Sequence, residues 1–265
     1  MNVEVWLSPA AVSPAERDRA SVAVVIDVLR ATTVATTALS AGAKSIQTCR
    51  TVEEAFQIKD AANETAPGQP LLLCGERECQ PIEGFDFGNS PSEYSPAGVG
   101  DRDLVMTTTN GTRAIDEAAD CDIMLLACFA NVSAVADRIV AEMPDDGLLR
   151  LVCAGTNGAV TAEDVLMAGA LLAVCHKKLS DTSRFYDGPV NLINDSGAIA
   201  LAAWQHCITH DKVVDAESLA VRLSLTQGGK NLIAAGYQGD LVDCGSIDVF
   251  DVVPTRRDEN RFVAG

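Results

Sequence analysis

Leu104-Val105-Met106-Thr107-Thr108-Thr109-Asn110-Gly111-Thr112-Arg113 runs directly into Ala114-Ile115 and Ala118-Ala119. An apolar run gives way to hydroxyls, an amide, a glycine and an arginine, and then to apolar residues at helical spacing. That order describes a buried strand opening into the start of a helix. The free N–H groups of the first helical turn and the positive end of the helix dipole favour an anion there. Gly111 lets backbone and anion approach closely. Arg113 offers a fork of donors suited to phosphate, sulfonate or carboxylate. The same design occurs earlier, where residues 22–26 run into Asp27-Val28-Leu29-Arg30-Ala31-Thr32-Thr33. Two such loops predict a ligand with two anionic ends, or one anion held from two sides.

Outward from these loops, strands and helices alternate. Residues 3–7 alternate as an edge strand, and residues 44–49, 71–74, 123–128 and 148–153 read as further strands. Helices are predicted over 33–42, ending at Gly42, and from the capping box Thr51-Val52-Glu53-Glu54 to about residue 63. Further helices follow over 113–119, 132–143 with Asn131 as cap, 162–178, 196–209, 216–223 and 228–235. Residues 241–244 and 249–253 read as closing strands. The alternation predicts an α/β layered sheet with right-handed crossovers. No linker or shift in composition divides the chain, so residues 1–265 are expected to form a single unit. A third polar turn, Ala154-Gly155-Thr156-Asn157-Gly158, follows the strand at 148–153. Ligands of open α/β sheets bind beyond the carboxyl ends of the strands, so the three loops are placed to meet in one crevice.

Composition narrows the function. With 20 basic and 37 acidic residues the net charge is −17, which argues against nucleic acid and against anionic membrane surfaces. Small anionic substrates stay open, because local arginines and backbone amides can hold them whatever the global charge. Nine cysteines are scattered without a C-x-x-C pair, several of them inside apolar runs. They read as small buried hydrophobes in a reducing, cytoplasmic setting. No apolar run approaches the ~20 residues of a membrane span. A homodimer is the default expectation for a soluble enzyme of this kind.

The charged residues at the loops have two readings each. Asp27 and Arg30 form either an ion pair at a helix start or a site in which Arg30, Thr32 and Thr33 hold an anion while Asp27 binds a metal or takes a proton. Leu29 breaks the haloacid-dehalogenase pattern, which needs a second Asp there. Gly75-Glu76-Arg77 directly follows a strand and opens residues 75–100, which have no helical or strand period. Structureless stretches of more than ~12–15 residues are often functional. Within it, Asp86 and Asn89 of Gly84-Phe85-Asp86-Phe87-Gly88-Asn89-Ser90-Pro91 are either turn formers or site residues. Glu163-Asp164 either offsets a helix dipole or coordinates Mg²⁺, which takes one or two carboxylates and fills its octahedron with water and phosphate. His176, His206 and His210 are not arranged as metal ligands. There is no C-x₅-R, G-x-S-x-G, P-loop or G-x-G-x-x-G sequence.

Taken in order, residues 27–33, 75–77, 84–91, 108–113, 154–155 and 163–164 resemble the 2-phosphosulfolactate phosphatase (ComB-like) family over residues 3–254. The resemblance implies a three-layer α/β/α fold with a mixed, largely parallel sheet. It implies Mg²⁺-dependent hydrolysis of 2-phospho-3-sulfolactate, a step of coenzyme M synthesis in methanogens, to 3-sulfolactate and phosphate. On that reading Asp27, Glu76, Glu163 and Asp164 supply the Mg²⁺ site. Asp27, Arg30, Glu76 and Arg77 are catalytic. Thr32, Thr33, Asn89, Ser90, Asn110, Gly111, Thr112 and Arg113 bind the small anionic substrate. The competing expectation is a non-catalytic binding protein for a small dianionic metabolite, which needs the anion loops but no metal carboxylates.

Overall fold

The computed structural model describes residues 1–9, 18–65, 71–144, 146–180, 188–213, 215–258 and 260–265. In chain order its strands are β1 (Asn2–Trp6), β2 (Ala20–Ile26), β3 (Ser45–Thr48), β4 (Leu72–Arg77), β5 (Gln80–Pro81), β6 (Asp103–Thr107), β7 (Cys121–Ala127), β8 (Leu148–Cys153), β9 (Asn191–Leu192), β10 (Pro254–Asp258) and β11 (Arg261–Ala264). The helices are α1 (Ala31–Ser40), α2 (Val52–Thr65), α3 (Pro96–Val99), α4 (Gly111–Glu117), α5 (Val132–Glu142), α6 (Ala162–Leu179), α7 (Asp195–Thr209), α8 (Ala216–Ser224), α9 (Gln227–Ala234) and α10 (Asp240–Gly245).

The strands form one mixed sheet in the order β5-β4-β6-β3-β11-β10-β7-β2-β8-β1-β9. Two parallel blocks make it up. In one, β3 pairs β6 and β6 pairs β4. In the other, β7, β2, β8 and β1 run side by side. The antiparallel hairpin β10–β11 lies between the blocks and pairs antiparallel with both, at Thr255↔Leu125 and at Phe262↔Ile46.

Continuous apolar runs mark strands buried on both faces, and β2 shows why. Val22, Val24 and Ile26 join Leu125, Leu149 and Leu151 in the core beneath α5, α6 and α7. Ala23 and Val25 point to the opposite core, with Val34, Ala35 and Ala38 of α1 and Ala114 and Ile115 of α4. The period-two split of one strand between two cores is the three-layer α/β/α arrangement itself. Among the described residues no helix is long and apolar enough to cross a membrane.

Several expected boundaries are corrected. Residues 75–77 are not a turn: β4 continues through Gly75-Glu76-Arg77 and pairs with β5 at Glu76↔Pro81 and Arg77↔Gln80. The stretch at 3–7 is not the sheet edge, because β9 pairs outside β1. Asn131 does not cap α5 with its side chain. Its Oδ1 accepts the Cys128 N–H and its Nδ2 donates to the Val252 carbonyl, which ties the chain before α5 to the approach of β10. Residues 241–244 are helical, with Leu241 and Cys244 buried three apart and Asp240 and Asp243 in the first turn. So short an apolar run carries no period with which to separate helix from strand. The closing strands are β10 and β11 instead. Pro254-Thr255-Arg256-Arg257-Asp258 lacks the apolar alternation of 249–253 and is held by backbone pairing.

Candidate active site

The site assembles where β2, β4, β6 and β8 end. Asp27 follows β2 directly, is almost fully buried, and among the described residues its Oδ1 accepts only the Ala31 N–H, at 3.4 Å. Beyond it the Leu29–Arg30 peptide is cis. The buried Arg30 guanidinium donates to Asp240 Oδ2 at 2.7 Å and to the Cys79 carbonyl at 3.0 Å, with its Cζ 4.4 Å above the Tyr237 ring. Asp240 Oδ1 in turn accepts the Ser90 hydroxyl at 2.6 Å.

The threonines of the first loop do a different job from the one expected. Thr32 Oγ1 lies within bonding distance of the Asp27 and Ala127 carbonyls, and Thr33 Oγ1 donates to the Val28 carbonyl. A hydroxyl has one proton to give. These two are committed to the backbone, so they fix the β2–α1 turn and leave no donor for an anion.

Glu76 is also a clamp. Its Oε1 accepts the Thr109 N–H and its Oε2 the Cys79 N–H, both at 2.9 Å, so one carboxylate ties the loop after β6 to the β4–β5 turn. Arg77 points away from the cleft. Its guanidinium donates to the Glu76 and Arg50 carbonyls and to Thr107 Oγ1, which makes it a brace of the strand ends, and it is not among the residues lining the cleft.

In the loop after β6, Thr108 and Thr112 cap each other. Thr108 N–H donates to Thr112 Oγ1 at 3.2 Å and Thr112 N–H to Thr108 Oγ1 at 3.3 Å. Thr112 thus serves the loop through its backbone N–H and as an acceptor through Oγ1. Gly111 is a contact point between the two loops: a Cβ there would lie 2.7 Å from Ala31 Cβ and 2.9 Å from Asp27 Oδ2. Asn110 faces the cleft, and its Oδ1 accepts the Asn157 N–H at 3.0 Å, which joins this loop to the turn after β8. Arg113 is exposed. Both its terminal nitrogens sit 3.7 Å from the Cβ position of Gly158, and no acceptor holds it among the described residues.

Glu163 and Asp164 part company. Asp164 Oδ1 accepts the Val28 N–H and Oδ2 the Gly155 N–H, both at 2.9 Å, so it staples the loop after β2 to the loop after β8. Glu163 is buried with Oε2 lacking any hydrogen-bond partner. Its Oε1 lies 2.1 Å from where a Cβ at Gly228 would stand, so a side chain at the start of α9 would have to push the Glu163 carboxylate aside.

Asp27, Arg30, Glu76, Asn89 and Asn110 line one narrow cleft with a cavity volume of about 50 Å³. Asn89 Oδ1 is buried there without a partner. Ser90, the other expected binder of that loop, reaches Asp240 instead. Sequence reading missed the opposite wall, made by Cys79, Gly228 and Asn231. The signal was present in Thr226-Gln227-Gly228-Gly229-Lys230-Asn231, which gathers the same residue types, hydroxyl, glycine, cation and amide, at a helix start, though in another order; Thr226 Oγ1 caps it by accepting the Gly229 N–H. Burial, then repulsion from Glu76 and Glu163, pushes Asp27 up to about 7. Burial, then Asp27 and Glu163, holds Asp164 well above the usual carboxylate range. All nine thiols are free, and burial raises the Cys79 thiol at the cleft and the Cys153 thiol beneath it. Thiolate chemistry is disfavoured there.

A family model described as 2-phosphosulpholactate phosphatase matches residues 7–259. The chain belongs to this family. Among its phosphatase-family relatives, a protein of Caldanaerobacter subterraneus subsp. tengcongensis is 37% identical over 233 residues, covering 87% of this chain and 86% of the relative. One of Parasynechococcus marenigrum is 38% identical over 236 residues, covering 89% and 88%. One of Thermotoga petrophila is 37% identical over 253 residues, covering 96% and 94%. Each carries the name probable 2-phosphosulfolactate phosphatase.

Proposed function

We propose that the chain hydrolyses 2-phospho-3-sulfolactate, or a closely related phosphorylated hydroxy acid, to the free hydroxy acid and phosphate. The observation that carries this reading is Asp27: a buried carboxyl beside Arg30, pushed to about 7 in a cleft rimmed by amide and guanidinium donors. A protein that only bound an anion would gain nothing from burying a carboxyl against it, whereas proton transfer at neutral pH is served by a group that titrates there.

The donor chemistry fits Mg²⁺. The Asp27 and Glu76 carboxylates line the cleft, and buried Glu163 Oε2 has no hydrogen-bond partner among the described residues. Among the described residues no group of three or more His, Cys, Asp or Glu side chains closes into a metal cage. This accords with an ion that takes one or two carboxylates and leaves its other positions to water and phosphate. Asp27 and Glu163 are the residues assigned to hold it, with Glu76 beside them. When bound, Mg²⁺ would offset phosphate charge and lower the pKa of water.

The chain's own groups do the rest. Arg30 and Asn110 hold the phosphoryl oxygens. Arg113, which no acceptor among the described residues holds, receives the sulfonate or carboxylate end. Asp27 accepts the proton of the attacking water as its oxygen bonds to phosphorus. The phosphorus–oxygen bond to C2 breaks, and that proton can return to the departing alkoxide. Purified protein incubated with a panel of phosphorylated two- and three-carbon acids, with and without Mg²⁺, tests the reading through phosphate release. Release from none of them would leave the metabolite-binding reading standing. Phosphate retained on the enzyme after rapid quench would make Asp27 the nucleophile rather than the base.

A further inference from the structure

Arg30 is held in an unusually complete frame. Its guanidinium has five N–H donors, of which one meets Asp240 Oδ2 at 2.7 Å and one the Cys79 carbonyl at 3.0 Å. The Tyr237 ring covers one face at 4.4 Å from Cζ. The remaining three donors have no acceptor among the described residues, and Arg30 lines the cleft. Asp240 is itself fixed, since its second oxygen accepts Ser90 Oγ at 2.6 Å and Ser90 Oγ lies 2.9 Å from Ser92 Oγ. We infer that Asp240, backed by Ser90, is a positioning residue that aims the Arg30 guanidinium at an anion in the cleft.

The frame has an electrostatic consequence. Side chains of Arg30 and Asp240 are only 2% and 6% exposed, so neither charge is stabilised by water and each needs the other. The pair is neutral as a unit. Arg30 therefore recognises an anion by the direction of its remaining N–H groups more than by net charge, and a lysine in its place lacks both the fork and the flat face that Tyr237 covers. The frame also explains why the serine of Gly88-Asn89-Ser90-Pro91 matters without facing the cleft: it acts through Asp240, 150 residues away in sequence.

This inference rests on the reading of the cleft as a phosphate site but not on turnover. Calorimetric binding of inorganic phosphate, in Mg²⁺-containing buffer, tests it on wild type, R30A, D240N, S90A and the doubles R30A/D240N and R30A/S90A. Arg30→Ala and Asp240→Asn are each expected to weaken phosphate binding about tenfold or more, and Ser90→Ala about two- to fivefold. In the R30A background neither second substitution should weaken it further, because both act through Arg30. Wild type that does not bind phosphate, D240N within about twofold of wild type, or losses that multiply in the doubles would overturn the inference. Should D240N fail to fold in thermal melts, S90A and R30A/S90A carry the same comparison. Hydrolysis by the wild type is scored separately: protein that binds phosphate with the expected cycle yet hydrolyses nothing keeps the inference and removes the phosphatase reading.

Discussion

Replacing Asp27 with Asn should stabilise the protein at alkaline pH while removing activity. The carboxyl moves from an ordinary 3.8 in the unfolded chain to about 7 when buried beside Glu76 and Glu163. A raised carboxyl binds its proton more tightly in the native state, so native stability falls as pH climbs between those two values and the loss is complete above the upper one. About three units at 1.36 kcal/mol each set an upper limit of about 4 kcal/mol, and rearrangement of the neighbouring carboxylates lowers it, so about 1–4 kcal/mol is expected. For a chain of this size that is a rise of roughly 3–12 °C in melting temperature. Asn keeps the oxygen that accepts the Ala31 N–H and cannot titrate. Thermal melts with chelator at pH 8, pH 6 and pH 4 should show the variant ahead of wild type by a margin that closes toward the lowest pH. Added Mg²⁺ should narrow the margin at pH 8, because only wild type gains from binding it. A variant no more stable than wild type at pH 8, or a margin indifferent to pH, would refute the electrostatic argument.

Gly111→Ala places a methyl group 2.7 Å from Ala31 Cβ and 2.9 Å from Asp27 Oδ2. It should cost about 1–3 kcal/mol in urea unfolding and displace Asp27 enough to lower kcat; an unchanged midpoint would show that α4 can retreat freely. Asp164→Asn leaves either the Val28 or the Gly155 amide without an acceptor, for a loss of about 1–3 kcal/mol and faster hydrogen exchange at those amides. If it abolishes Mg²⁺ binding while leaving stability and exchange unchanged, Asp164 is a ligand and not a staple. Arg113→Ala removes an unpartnered guanidinium, so KM should rise about tenfold with melting temperature and kcat little changed; a lower melting temperature would assign Arg113 to the framework.

The parallel parts of the fold were readable because β2 and β8 are buried on both faces and run as apolar stretches, broken in β8 only by Arg150, that end in polar loops. The hairpin β10–β11 was not, since Pro254–Asp258 takes its place through backbone pairing and its side chains carry no alternation. At the site, Asp27, Arg30 and Asn110 were legible from their position just past buried strands. Thr32 and Thr33 stand in the same position, yet their protons go to protein carbonyls. Sequence does not reveal whether a hydroxyl meets a carbonyl or a ligand, because the deciding acceptor (the Ala127 carbonyl for Thr32) comes from another strand. Glu76 and Asp164 look like metal carboxylates for the same reason: a backbone amide leaves no mark in sequence. Asp240 had no local signal at all, since its partners are Arg30 and Ser90.

The hairpin between the two parallel blocks also governs when the site can exist. Asp27 and Asp164 belong to the block around β2, Glu76 and Asn110 to the block around β4 and β6, and Phe262, fully buried, pairs at the join. Every other strand precedes β10 and β11 along the chain. As the polypeptide emerges during synthesis, each block can begin to collapse on its own, but the sheet stays open along one seam until residues 254–264 arrive. The acidic cleft is thus withheld from the nascent chain, and the crowding of its carboxylates is imposed late, when a nearly complete fold is there to bear it.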